Sequence, residues 1–243
     1  MISWFRKKTP SVVGNTITTD IHSHLLPGLD DGVGTFEQAE AVIQQFIKLG
    51  YQKIITSPHV MSDTYRNTPA GIRAKLDELK LYLKEKDIAI EIETAAEYYL
   101  DEHTFGMVTG NEPMLTFGKN YLLFETNFLT EPFNLKDFIF KATTNGYKPV
   151  LAHPERYIYL QNDLKKLEDL LQRGVLFQVN ISSITGYYSK QAQATANKLI
   201  DKGWVHFLGS DCHSMQHVKL ISSARQMKYF QKALSLPLLN NSL

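Results

Sequence analysis

The sequence predicts an α/β protein, a distorted (β/α)7 TIM-like barrel, and three observations carry that expectation. Short apolar runs alternate with longer helix-like stretches about seven times, at intervals of roughly 30 residues, as parallel βαβ units require. The length of 243 residues suits one barrel, and 43% hydrophobic with 11% aromatic content can bury its core. No internal repeat, low-complexity tract or linker divides the chain, so residues 16–243 are expected to form a single domain behind an N-terminal arm, residues 1–15.

The elements run in order. Residues 16–21 read as the first strand, and 35–49 as a helix with Thr35 as N-cap and Gly50 ending it. Residues 53–56 form the second strand, and Thr68-Pro69 opens a helix to about Lys86, with proline in a favourable first-turn position. Residues 88–95 alternate apolar and charged side chains and make the third strand; 121–124 make the fourth, before a helix over 135–145. The fifth strand, 149–152, precedes a helical run over 162–173 that Gly174 closes. The sixth, 175–179, precedes a helix over 190–202, and the seventh, 205–208, precedes a last helix over 216–234. Residues 236–243 look peripheral.

Composition narrows the function classes. The 26 Lys and Arg nearly balance 25 Asp and Glu, for a net charge of +1, so no basic excess drives phosphate-backbone binding and nucleic acid is not expected. The single cysteine, Cys212, can form no internal disulfide and cannot supply a thiolate zinc cage, which fits a reducing, cytoplasmic setting. No apolar stretch approaches the roughly 20 residues of a membrane helix. The start, Met1-Ile2-Ser3-Trp4-Phe5-Arg6-Lys7-Lys8, is basic and aromatic but lacks the apolar core of a secretory signal; it could rest against an anionic membrane surface. Nothing in the sequence sets an oligomeric state.

The residues just beyond each strand are the informative feature. His22, His24, Asp30 and Asp31 come after the first, His59 after the second, Glu97 after the third, Glu125 after the fourth and His153 after the fifth. Asn180 comes after the sixth, and Asp211 and His213 after the seventh. In a parallel barrel these positions gather at the C-terminal face, where active sites are built. Each taken alone has an ordinary explanation: a turn at Asp30-Asp31-Gly32, a salt bridge at Glu97 or Glu125, a helix cap at Asp211. Together His22, His24, Asp31, His59, Glu97, Glu125, His153, Asp211 and His213 could hold two or three divalent ions. Imidazole and carboxylate without thiolate suits Mn, Fe or Zn.

These residues also resemble a known superfamily. Asp20-Ile21-His22-Ser23-His24 with Asp30-Asp31-Gly32 resembles the first motif of the PHP (polymerase and histidinol phosphatase) superfamily. Ser57-Pro58-His59, Ala96-Glu97-Tyr98, Phe124-Glu125, Ala152-His153-Pro154-Glu155-Arg156-Tyr157 and Gly209-Ser210-Asp211-Cys212-His213 are similar to its later motifs, in order. Within it, the length and the His-Pro-Glu-Arg-Tyr segment resemble bacterial capsule-associated protein-tyrosine phosphatases of the CpsB/YwqE type. The resemblance spans about residues 18–213. It implies the PHP fold, a trinuclear site usually active with manganese, and as substrate the phosphotyrosine-bearing tail of a tyrosine kinase of capsular or exopolysaccharide biosynthesis. It gives the nine residues metal-ligand roles and Arg156 a phosphate-binding role. Many members carry a second arginine soon after the last Asp-x-His; this chain reads Ser214-Met215-Gln216-His217-Val218-Lys219, so His217 or Lys219 is the candidate replacement.

The expected chemistry is phosphomonoester hydrolysis by attack of a metal-bound hydroxide on phosphorus, with Arg156 on the phosphoryl oxygens and Asp211, His213 or water as proton donor. A cysteine phosphatase would need Cys-x5-Arg, and counting from Cys212 the arginine position is held by Val218. The alternatives are a histidinol-phosphate-type small-molecule phosphatase, an amidohydrolase, which also begins with His-x-His, a PHP nuclease, and a non-catalytic metal-stabilised binding module. The tyrosines near the motifs, Tyr98, Tyr99, Tyr157, Tyr159, Tyr187 and Tyr188, could line a cleft for an aromatic ring or simply pack.

Overall fold

The computed structural model describes residues 16–243 of the chain; the N-terminal arm predicted for residues 1–15 lies outside them. Among the described residues, nine short strands are all paired in parallel. One sheet joins β1 (Thr19–Asp20), β2 (Lys53–Thr56) and β4 (Glu91–Thr94). The other runs β3 (His59–Val60), β5 (Glu97–Tyr99), β6 (Tyr121–Glu125), β7 (Lys148–Ala152), β8 (Leu176–Asn180) and β9 (Phe207–Gly209).

The two sheets are one closed wall. β3 continues β2 after Ser57-Pro58, where proline offers no N–H to the ladder, and β5 continues β4 after Ala95-Ala96. Across these breaks the pairing persists through Ala95 N–H to Thr56 O and Glu97 N–H to Pro58 O. The wall closes where Asp211 N–H donates to His22 O and His24 N–H to Cys212 O, with Ser23 bridging Cys212 in parallel. Asp20 reinforces that seam, accepting from the Ser210 amide at 2.9 Å and hydroxyl at 2.8 Å. Counting the paired segments as single staves gives the seven expected.

Side-chain alternation divides the core in two. Ile55, Ala95, Leu123, Val150, Ala152 and Phe207 form an inner cluster, while their neighbours Ile54, Leu122, Leu151, Phe177, Val179 and Leu208 pack outward with the helices. Those helices are α1 (Phe36–Lys48), α2 (Pro69–Glu85), α3 (Glu102–Thr109), α4 (Leu135–Thr144), α5 (Leu164–Gln172), α6 (Lys190–Lys202), α7 (Met215–Ala224) and α8 (Lys228–Ala233). Thr35 caps α1 as predicted, accepting from the Gln38 amide, and Thr68 caps α2, whose start at Thr68-Pro69 was predicted, by accepting from the Gly71 amide.

The structure corrects the sequence reading in four places. The first and third strands are shorter than predicted. β3, β5 and α3 have no counterpart in it; Asp101 caps α3 by accepting from the Thr104 amide. The single helix expected over 216–234 breaks after Ala224. Ile221 and Phe230, nine positions apart, would face opposite sides of a straight helix at about 100° per residue, so the turn is what lets both bury. The tail is not peripheral: Asn240 is fully buried, donates to Thr19 O and Leu208 O, and accepts from the Leu208 amide. Leu239 and Leu243 pack on the inner cluster, so this segment closes one end of the barrel.

Candidate active site

At the other end the inner face changes from apolar to ionisable. The alternation that points Ile55, Ala95, Leu123 and Phe207 inward continues to His59, Glu97, Glu125 and Asp211, each an even number of residues further along. On β8 the same face carries Gln178 and Asn180. His153 and Asp211 hold left-handed backbone, φ 35° and 47°, which bulky side chains rarely adopt and which functional sites often retain. Gly209 permits a close approach: a Cβ there would lie 2.5 Å from the Gln178 amide and 2.9 Å from His22 Cβ.

All nine predicted ligands converge. Their donor atoms fall into four overlapping groups, each within 4.8 Å: His24, Asp31, His59 and His213; His22, His24 and Asp211; His22, Glu97 and His153; His59, Glu97 and Glu125. The imidazoles are oriented from behind. His22 Nδ1 donates to Gln178 Oε1 at 2.8 Å, His24 Nδ1 to Asp30 Oδ2 at 2.7 Å, and His213 Nδ1 to the Asp211 carbonyl at 3.0 Å. Each therefore turns Nε2 toward the cluster, the arrangement by which outer partners fix a metal-ligating histidine. His59 Nδ1 is buried 3.1–3.2 Å from Glu125 and Glu97 oxygens yet makes no hydrogen bond of good geometry. This donor set fits divalent cations.

The charges are held by one another. Burial alone would lower the His22 imidazole, but the Glu97 and Asp211 carboxylates overcome it and raise its pKa to about 9. Burial would raise the Glu97 and Asp211 carboxyls, but His22 in each case, with His59 beside Glu97, holds them well below their usual range. Divalent ions bound here would supply the countercharge that these carboxylates otherwise draw from His22.

A cleft of about 540 Å³ opens over the cluster. Arg156 lies on its wall between two rings, its guanidinium 4.6 Å from the Phe128 centroid and 4.1 Å from that of Tyr188. It donates to Asp211 Oδ2 at 3.0 Å, and the same oxygen accepts from Asn180 Nδ2 at 2.6 Å and Tyr188 Oη at 3.1 Å. His217 lines the cleft; Lys219 does not, and is exposed on α7. His217 Nδ1 accepts from the His213 amide at 3.0 Å, and burial, then the neighbouring His213, lowers its pKa, so its remaining proton sits on Nε2. Of the tyrosines singled out in the sequence, Tyr187 and Tyr188 line the cleft, whereas Tyr98 and Tyr157 are fully buried packing residues.

Several contributors escape the sequence reading. Asp30, named in the sequence without a role, orients His24 and also accepts from the His59 amide at 3.0 Å. Gln178 is readable only as a polar residue two positions before Asn180 in an apolar run. Phe128 lies in a loop with no periodic signal. Cys212 is fully buried, and burial raises its thiol pKa, so it is a packing residue and no nucleophile.

The family model for capsular polysaccharide synthesis, CpsB/CapC, matches residues 18–232. The tyrosine-protein phosphatase YwqE of Bacillus subtilis is 28% identical over 81% of this chain and 78% of its own. The putative tyrosine-protein phosphatase CapC of Staphylococcus aureus is 27% identical over 92% and 89%. A solved structure from a study of YwqE and Streptococcus pneumoniae CpsB, described as metal-dependent tyrosine phosphatases, superposes with a TM-score of 0.78 at 26% identity, covering 88% of this chain and 89% of its own.

Proposed function

We propose, since this chain belongs to the CpsB/CapC family of capsular polysaccharide synthesis, that it is a metal-dependent protein-tyrosine phosphatase. Its substrate is the phosphotyrosine-bearing tail of a tyrosine kinase of polysaccharide synthesis, and manganese is its working metal. One observation carries the reading: nine imidazole and carboxylate ligands from around the barrel meet beneath an arginine in a single aromatic-walled cleft.

His22, His24, Asp31, His59, Glu97, Glu125, His153, Asp211 and His213 would hold two or three divalent ions. Bound there, the ions would supply acidity to water and neutralise charge on phosphoryl oxygens. Arg156 binds those oxygens with the N–H groups it does not give to Asp211, and its stacking between Phe128 and Tyr188 fixes the plane of the fork. His217 offers an Nε2 proton as a neutral donor in place of the second arginine. Tyr187, Tyr188 and Phe128 give the tyrosyl ring apolar walls. Asp211 stays ionised and anchors Arg156, and His213 gives Nδ1–H to a carbonyl and Nε2 to the metal site, which leaves proton delivery to water; a phenolate leaving group demands little of it.

The deciding experiment pairs metal analysis of purified protein with turnover of p-nitrophenyl phosphate and of a phosphotyrosyl peptide. Activity with manganese that chelator abolishes and metal restores is expected, with the peptide preferred over histidinol phosphate. Preference for histidinol phosphate would reassign the substrate, and no turnover with any divalent metal would leave only a binding module.

A further inference from the structure

Two further clefts adjoin the catalytic one and share its walls. One, of about 440 Å³, shares Phe128, Arg156 and Tyr188 and adds Ile158, Gln161 and Gln191. The other, of about 630 Å³, shares Asp31 and His213 and adds Val33, Glu37, Ala41 and Met215. They have no residue in common, so they open from different walls of the catalytic cleft. We propose that together the three form one groove that binds the substrate as an extended polypeptide, with the side chains flanking the phosphotyrosine seated in the outer clefts. This rests on the phosphatase reading and deepens it.

The catalytic cleft is by itself large enough for an aryl phosphate, so a small phosphoester would leave both neighbours unused. Large apolar side chains stand exposed along the groove: Ile158 is 58% exposed and Met215 39%. On a water-facing surface such residues beside a cleft mark a contact region. The wall beneath Ile158 is fixed, because its amide donates to Phe128 O at 2.8 Å and ties the two loops together. Polar Gln161 and Gln191 edge this apolar floor, as suits a peptide backbone above an apolar side chain. Opposite, Glu37 and Asp31 face the second cleft with no lysine or arginine among its lining residues. Acidic flanking residues are therefore disfavoured in the second cleft, where the Glu37 carboxylate meets no compensating cation.

The test uses Ile158→Asp and Ala41→Trp, both at exposed positions outside the catalytic cleft. The probes are p-nitrophenyl phosphate and two short phosphotyrosyl peptides, with leucine or aspartate on both sides of the phosphotyrosine. Each variant should lower kcat/KM on the leucine peptide about tenfold while leaving p-nitrophenyl phosphate within about twofold. The wild type should prefer the leucine peptide to the aspartate peptide. Unchanged peptide rates, or equal losses on peptide and p-nitrophenyl phosphate, would overturn the groove. Fluorescence anisotropy of the labelled leucine peptide reads it independently of turnover: weaker binding in both variants supports the groove, and unaltered binding rejects it. Absence of wild-type turnover on every substrate would sink the phosphatase reading alone.

Discussion

Arg156 shows how much of the proposed activity depends on the position of one side chain. Its charge would survive replacement by lysine, but the planar fork and its stacking between Phe128 and Tyr188 would not. Arg156→Lys should lower kcat/KM on aryl phosphates by about 100-fold with circular dichroism and metal content unchanged; a loss of only a few-fold would remove Arg156 from the phosphate site. Gln178 acts one layer back. Gln178→Leu leaves His22 Nδ1 without its acceptor, and manganese affinity should fall about 10- to 100-fold, read as the metal concentration for half-maximal activity. Cys212→Ser should retain most activity, since the buried thiol touches no substrate; its inactivation at full metal content would revive thiol chemistry.

At the scale of the elements, the seam between β9 and β8 is the most constrained. The helix-facing side is ordinary packing, but Gly209 must stay without a side chain for Gln178 to reach His22. His206, just before β9, gives the seam a pH signature. Burial lowers its pKa from 6.5, and its Nδ1 accepts from the Phe177 amide, which requires the neutral ring. Below that value the unfolded chain binds the proton more readily than the folded one, so stability rises with pH and is lost as pH falls from about 6.5 toward the folded pKa. The drop in Tm between about pH 7.5 and about pH 5.5 should be smaller in His206→Gln than in wild type. Identical drops would show that His206 does not titrate in this window. The helices are legible in the sequence where a cap announces them, as at Thr35 and Thr68. The break between α7 and α8 is not, because no glycine or proline marks it and the need to bury both Ile221 and Phe230 arises only against the barrel.

For the whole molecule, one end of the barrel is sealed by the C-terminal tail and the other holds like charges that only countercharge can stabilise. Asn240→Ala removes three buried hydrogen-bonding partners and should cost on the order of 2–3 kcal/mol, seen as a lower Tm with activity per folded molecule preserved. The sequence alone determined the seven-stave βαβ order and all nine clustered residues, because hydrophobic periodicity survives in one dimension and ligands must sit at strand ends in a parallel barrel. The resemblance to the PHP superfamily pointed to Arg156. Only the tertiary structure decided what stands behind and around those residues: Asp30 and Gln178 aiming the imidazoles, Phe128 and Tyr188 gripping the arginine, His217 rather than Lys219 entering the cleft, and Asn240 closing the far end. Those roles are set by contacts between segments far apart in the chain, many made by loops, where no period records which side chain will face which.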